Sequence, residues 1–151
     1  MPTCVKAPGS PGSTSMSWSR AFLVWLVLIG AETVHGILRT LFLQPVVGDF
    51  RARQIAVFTG AALILAVSYA FGPWLRATST AQLLGVGFLW LALTLLFEVT
   101  LGRLVLSLSW DRIASDYELS RGGLLPIGLV VLALSPLISM RLRARRSPEP
   151  R

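Results

Sequence analysis

Four long apolar stretches, separated by short polar segments, occupy most of the chain. They cover about residues 21–43, 55–75, 83–108 and 122–140. Each stretch is long enough for an α-helix to cross ~30 Å of hydrocarbon at ~1.5 Å per residue. The pattern therefore predicts an all-α, polytopic membrane protein whose four transmembrane helices form a domain over residues 19–140.

The segments on either side of this domain differ from it in composition. Residues 1–18 are rich in Ser, Pro and Gly and lack a periodic apolar pattern, which favours a disordered tail. Residues 141–151 predict a short basic tail. Hydrophobic residues make up 54% of the chain, and too few residues lie outside the membrane for a separate catalytic domain. An enzyme is therefore the less favoured interpretation.

The basic residues predict how the chain is oriented in the membrane. Four spans place both termini on one side, where eight Lys and Arg residues lie, against four in the two opposite loops. The positive-inside rule then favours cytoplasmic termini, with residues 45–54 and 109–121 facing outward. Thirteen of the fourteen basic residues are Arg, a bias that suggests a bacterial genome and hence a bacterial inner membrane.

The second outward loop contains a pattern of its own. Trp110, Ile113 and Tyr117 recur at helical spacing, while Arg112 and Asp116 form an i,i+4 pair on the opposite side. This spacing predicts a short helix lying in the interface, and an ordinary loop with an aromatic anchor is the alternative. The charged residues expected to support this outer face are Arg51, Arg53, Arg103, Asp111, Arg112 and Asp116.

Ionisable residues inside two of the apolar stretches are the main candidates for function. Glu32, His35 and Arg39 fall within an arc of about 60° on the first helix, and Glu98 lies in the third stretch. A charged side chain at the centre of a bilayer costs ~2.5–3.5 kcal/mol or more, so such residues usually have a function. We expect these four residues to form a polar cluster that opens toward the outer face.

This cluster supports two interpretations without a cofactor. Arg39 could neutralise Glu32 or Glu98 while His35 hydrogen-bonds across the bundle, so that the cluster only joins helices. The same groups would also suit a proton or cation relay. The chain is accordingly expected to be a non-enzymatic accessory subunit of a larger membrane complex or a small, homo-oligomeric, proton-coupled transporter.

A redox function is the alternative. Glu32 and His35 form an E-x-x-H motif, and together with Glu98 they provide half of the ligands of a carboxylate-bridged di-metal site. A symmetric homodimer would supply the other half, although Arg39 nearby opposes the binding of cations. His35 from each of two protomers could instead hold a haem. Either cofactor would make the protein a metal- or haem-binding redox component that acts as a homodimer.

Two short motifs recur at a similar distance along the chain. Glu32 and Gly36 share the pattern E-x-x-x-G with Glu98 and Gly102, 66 residues later. The identities are few, and chance could produce them. A duplication would make the protein two parallel helix-hairpin repeats related by an axis along the membrane normal, with the two glutamates as equivalent residues.

The net charge of +7 raises the question of a nucleic-acid partner. The arginines are scattered between apolar segments, so the charge indicates topology and contact with anionic lipid headgroups. We therefore expect the lipid bilayer, and no nucleic acid, as a partner. Polar residues in the second and fourth stretches, such as Thr59, Ser68 and Ser135, are expected to hydrogen-bond to their own helix backbone.

Overall fold

The computed structural model describes residues 16–118 and 123–146. Within these ranges the chain is almost entirely helical and contains no strand. The α-helices are α1 (Trp18–Leu38), α2 (Gln44–Val47), α3 (Asp49–Phe71), α4 (Thr80–Thr100), α5 (Trp110–Tyr117) and α6 (Leu125–Arg146). The π-helical segments Arg39–Leu43 and Leu101–Val105 extend α1 and α4, and the 3₁₀-helix Gly72–Leu75 follows α3.

Four helical units are long and apolar enough to cross a membrane, namely Trp18–Val47, Asp49–Leu75, Thr80–Val105 and Leu125–Arg146. Large apolar side chains cover their outer surface. Phe58, Leu96 and Val130, for example, are each more than half exposed. A surface of this kind suits lipid rather than water. The prediction of an all-α, multi-pass membrane protein is confirmed.

The four spanning helices pack as a ring. α1 contacts α3 and α4, and α6 contacts the same two helices on the other side. α1 and α4 run in one direction and α3 and α6 in the other, as two parallel hairpins require. A duplication would make α1 equivalent to α4 and α3 equivalent to α6. The two members of each pair are neighbours in this ring, whereas a twofold axis along the membrane normal would place them at opposite corners. The duplication itself stays a prediction.

The prediction of a loop over residues 45–54 is wrong. Helix α3 already begins at Asp49, and Gly48, at φ 81°, makes the turn on its own. Pro45 does not end the first span, because the helix continues from α1 through the π-helical turn Arg39–Leu43 into α2, which contains Pro45 near its start. The first two spans are therefore joined by a tight turn and not by a loop.

The predicted limits of the domain also shift at both ends. Helix α1 begins at Trp18, inside the expected tail, whereas residues 1–15 lie outside the described part of the chain. Helix α6 continues to Arg146, so the first part of the basic tail is helical, and residues 147–151 lie outside the described part. The short helix predicted in the second outward loop is confirmed as α5.

The end of the bundle that carries the first and last described residues is here called the termini end, and it is closely packed. Trp90 is fully buried, and its Nε1 donates a hydrogen bond to the Ala21 carbonyl at 2.8 Å. Trp25 Nε1 donates to Thr94 Oγ1 at 3.1 Å. Both bonds connect α1 with α4. Buried tryptophans usually find such partners for the indole N–H.

Small residues bring α6 against its two neighbours. A Cβ atom built on Gly87 would lie 1.8 Å from the Ala133 carbonyl oxygen, so only glycine permits this approach of α4 and α6. Between α3 and α6, Ser68 Oγ donates to Ser135 Oγ at 2.9 Å, and both residues are buried. Ser135 also bonds to its own helix, as expected, but the bond between the two helices was not predicted.

Candidate functional site

At the end opposite the termini, here called the cavity end, the four spanning helices line an open cavity of about 590 Å³. Cavities of roughly 300–1,000 Å³ are typical of small-molecule sites. Leu28, Ile64 and Leu132 close this cavity toward the termini end, and all three are buried. Helix α6 contributes an apolar wall that includes Leu129 and Gly128.

The polar cluster predicted from the sequence lies on the wall of this cavity. Glu32, His35 and Arg39 reach it from α1, and Glu98 reaches it from α4. The two glutamates therefore do share one space, as the sequence suggested. The cavity also receives polar side chains that were not assigned to the cluster, which are Arg53, Thr94 and Tyr117.

Glu32, His35 and Thr59 form a short chain of polar contacts from α1 to α3. Glu32 Oε2 lies 3.5 Å from His35 Nδ1, and His35 Nε2 lies 2.7 Å from Thr59 Oγ1. The Thr59 hydroxyl donates to the Ile55 carbonyl at 3.2 Å, which leaves its oxygen to accept a bond from Nε2–H. In a neutral imidazole of this tautomer, Nδ1 is unprotonated and faces the carboxyl group. The expected hydrogen bond of His35 across the bundle is confirmed.

Gly60 on α3 makes room for the Glu32 carboxyl group. A Cβ atom at this position would lie 3.0 Å from Glu32 Oε2 and 3.5 Å from both Oε1 and His35 Cε1. Glu32 Oε1 is buried and has no hydrogen-bond partner within residues 16–118 and 123–146. A charged carboxyl oxygen without a partner in low dielectric is costly, and a proton on the Glu32 carboxyl group would remove that cost.

Helix α5 covers the opposite wall of the cavity. Tyr117 places its hydroxyl 3.4 Å from Glu98 Oε2, where it can donate a hydrogen bond. Ile113 packs over Gly102, since a Cβ atom on this glycine would lie 3.3 Å from Ile113 Cδ1. The side of α5 that carries Ile113 and Tyr117 therefore faces the cavity. Glu98 and Glu32 consequently have different partners on different helices.

Arg39 does not have the role that the sequence suggested. It lines the cavity, but no hydrogen bond or ion pair joins it to Glu32, to Glu98 or to any other described residue. The reason is geometric, because seven residues of helix place Arg39 about 10 Å along the axis from Glu32. Arg53, in contrast, forms an ion pair with Asp49 one turn earlier on α3.

The remaining charged residues expected to support the outer face have separate positions. Arg51 and Asp111 are exposed and do not line the cavity. Arg103 Nη1 donates to the Leu108 carbonyl at 2.6 Å, and its guanidinium lies 4.9 Å from the centre of the Trp110 ring. The side chains of Arg112 and Asp116 lie outside the described part of the structure. Of the four whose side chains the structure describes, only Arg53 contributes to the cavity.

The ligand set proposed for a metal is not assembled by one chain. Among the described residues, no group of three His, Cys, Asp or Glu side chains is arranged to hold a metal ion. Glu32 contacts His35, whereas Glu98 contacts Tyr117. A di-metal or haem site shared by two protomers stays a prediction.

Three parts of the site were missed by sequence reasoning. Thr59 and Gly60 lie in an apolar stretch whose sequence does not mark them as site residues. Glu32 and His35 are one helical turn apart, so the sequence indicated only that some residue of a neighbouring helix faces both. Tyr117 belongs to a helix that was predicted, but its contact with Glu98 depends on the path of the chain between α4 and α5. The π-helical turns after Leu38 and Thr100 have no recognisable sequence pattern, and such turns often occur beside functional sites.

Comparison of the chain with protein-family models, with curated protein sequences and with solved structures finds no match. The site is therefore interpreted from its own geometry.

Proposed function

We propose that this protein is a small proton-coupled transporter of a bacterial inner membrane, with both termini in the cytoplasm. The observation that carries the proposal is the position of the Glu32 carboxyl group, inside a membrane cavity, beside His35 and with one oxygen lacking a hydrogen-bond partner among the described residues. A carboxyl and an imidazole in contact can pass a proton between them. The cavity beside them has room for a solute.

The asymmetry of the bundle supports the same function. Leu28, Ile64 and Leu132 separate the cavity from the closely packed termini end. A carrier needs a solute site that is closed on one side of the membrane while it is reached from the other. The basic residues around the termini support a cytoplasmic location for the closed end.

Charge movement in reconstituted protein tests this proposal. Proteoliposomes adsorbed on a solid-supported membrane are stepped from mildly alkaline to mildly acidic buffer, and the displaced charge is recorded. The wild type is expected to give a transient current because protons enter the cavity and bind the Glu32–His35 pair. Glu32→Gln should abolish most of this current, since an amide cannot take up the proton.

Glu118→Gln is the matched control, because Glu118 is exposed and does not line the cavity. It should leave the current unchanged. Equal currents in the wild type and in Glu32→Gln would refute proton binding at this site. The other outcome is that neither the wild type nor the variants displace charge and that Glu32→Gln lowers the stability of the bundle. The cluster then only joins helices, as expected of an accessory subunit.

A further inference from the structure

The charged residues of the described part are divided between the two ends of the bundle. The acidic residues within 16–118 and 123–146 all lie toward the cavity end, and they are Glu32, Asp49, Glu98, Asp111, Asp116 and Glu118. Six arginines lie at the termini end, and they are Arg20, Arg76, Arg141, Arg143, Arg145 and Arg146. The described part of the termini end is therefore strongly basic.

The 3₁₀-helix Gly72–Leu75 lies in the middle of this basic end. It packs against α1 on one side and against α6 on the other. Arg20 of α1 reaches it, because Arg20 Nη1 donates a hydrogen bond to the Trp74 carbonyl at 3.2 Å. The Arg20 guanidinium also lies 5.4 Å from the centre of the Trp74 ring. The exposed Arg76 follows directly after this helix.

Tyr69, near the end of α3, holds two arginines of α6. Arg143 Nε donates to the Tyr69 carbonyl at 3.0 Å, and its guanidinium lies 4.4 Å from the centre of the Tyr69 ring. The Arg146 guanidinium lies 6.0 Å from the same centre. Contacts with an aromatic ring restrict a guanidinium, so less entropy is lost when it binds an anion. These residues are together called the basic surface, which consists of Arg20, Tyr69, Trp74, Arg76, Arg143 and Arg146.

Apolar side chains border the basic surface. Phe71, Trp74 and Leu142 are 38%, 42% and 46% exposed. Leu142 lies one helical turn before Arg146 and therefore on the same side of α6, deeper in the spanning helix. A soluble phosphate or a nucleic acid would have nothing to place against these side chains. A phospholipid has a phosphate and acyl chains in this same order of depth.

We propose that the basic surface is a binding site for an anionic phospholipid. The guanidinium groups contact the headgroup phosphate by charge-assisted hydrogen bonds, and the acyl chains lie against Phe71, Trp74 and Leu142. The sequence predicts only that scattered arginines meet anionic headgroups, whereas this inference assigns one fixed site to the junction of α1, α3 and α6. It goes beyond the proposed transport function and does not depend on it.

Two lipids with the same acyl chains and different headgroups provide the test. The purified full-length protein in a mild non-ionic detergent is mixed with equal amounts of phosphatidylglycerol and phosphatidylcholine, and the bound lipids are counted by native mass spectrometry. We expect phosphatidylglycerol to be bound at least about fivefold more than phosphatidylcholine. Arg146→Gln should reduce binding of phosphatidylglycerol about fivefold, since one basic residue of the surface is lost.

Arg51→Gln is the matched control for charge. Arg51 is exposed, lies at the cavity end and does not line the cavity, so this variant loses the same charge far from the basic surface. It should bind phosphatidylglycerol as the wild type does. An equal loss in Arg51→Gln and Arg146→Gln would show that lipid follows the net charge of the protein, which overturns the assignment of a site.

A second pair of variants keeps all charges. Trp74→Ala removes the ring beside Arg20 and part of the apolar border, and it should reduce binding of phosphatidylglycerol at least about twofold. Trp110→Ala is its control, because it removes an exposed ring that contacts Arg103 at the other end. Unchanged binding in both variants would overturn the part given to the aromatic residues and the apolar border.

Inorganic phosphate distinguishes a lipid from a free anion. Millimolar phosphate should leave phosphatidylglycerol bound, because phosphate does not replace the contacts of the acyl chains. Displacement of the lipid by phosphate, or equal binding of the two lipids, would overturn the proposal. The proton current is expected to be the same in the wild type and in Arg146→Gln, since Arg146 lies at the end opposite the cavity.

Discussion

The two ends of the bundle are built from the same four helices and differ in what lies between them. At the termini end, Trp90 and Trp25 fill the space between α1 and α4, and Gly87 lets α6 approach closely. At the cavity end, the equivalent space holds the carboxyl groups of Glu32 and Glu98 and the 590 Å³ cavity. Large apolar side chains and small residues fill the space between the helices at the termini end. At the cavity end, ionisable side chains occupy this space instead.

This difference shows how a small membrane protein can tolerate a polar cavity. Close packing and hydrogen bonds between helices at one end hold the helices together where lipid gives little hydrophobic driving force. The other end can then remain open and carry charged groups. We expect substitutions in the core of the termini end to change stability and those at the cavity end to change proton movement.

The largest effect is expected from Trp90→Ala. This change removes a fully buried indole and its bond to the Ala21 carbonyl, and it should lower the free energy of unfolding by about 3–5 kcal/mol. Titration with a denaturing detergent in mixed micelles measures it. Trp110→Ala is the control, with an expected loss below about 1 kcal/mol, because Trp110 is 61% exposed and keeps only a cation–π contact with Arg103. Similar losses for the two variants would end the distinction between the packed and the open region.

Gly87→Ala should have the next largest effect. Its Cβ would lie 1.8 Å from the Ala133 carbonyl oxygen, so α4 and α6 must separate, at a cost of about 1–3 kcal/mol or more. Gly85→Ala, two residues earlier on the same helix, meets only Trp18 Cη2 at 3.4 Å and should be tolerated. The same unfolding titration compares the two variants. Equal stability of both would mean that close approach of α4 and α6 does not hold the termini end together.

A smaller effect is expected at the hydrogen bond between α3 and α6. Ser68→Ala removes the donor to Ser135 and should lower the free energy of unfolding by about 1 kcal/mol. A double-mutant cycle with Ser135→Ala should give a coupling energy near 0.6 kcal/mol, the average for hydrogen bonds between membrane helices. A coupling energy of zero would show that the two hydroxyls contribute independently.

The smallest effect on stability is expected at the hydrogen bond of the cavity end. Thr59→Val removes the partner of His35 Nε2, but His35 lines the cavity, where water can replace the lost hydroxyl. We expect a change in the free energy of unfolding within about 0.5 kcal/mol, with an altered proton current. A loss as large as that of Ser68→Ala would assign His35 and Thr59 to the structural part of the bundle.

Much of this architecture could be predicted from the pattern of the chain. The four spans follow from the length of the apolar stretches, and the shared face of Glu32, His35 and Arg39 follows from helical spacing. The pattern of Trp110, Ile113 and Tyr117 was enough to predict α5. Errors arose where one residue decides the backbone, since Gly48 replaces a predicted loop by a turn.

The partners of the ionisable residues could not be predicted in this way. Spacing along α1 shows that Glu32 and Arg39 share a face, but it does not show that Arg39 is too far along the axis to form an ion pair. The contact of Tyr117 with Glu98 depends on how residues 101–109 return the chain over the cavity. These contacts depend on distances between helices, and helices shift relative to one another without any change in their own periodicity.

Local sequence thus decides which segments cross the membrane and which side chains point the same way, because both properties depend on the rise and rotation of a single helix. Packing between helices decides the rest. It places Gly60 beside the Glu32 carboxyl group, leaves Oε1 without a partner among the described residues and opens a cavity between glutamates 66 positions apart in the chain. Such contacts join residues from different helices, and they exist only once all four helices are packed together.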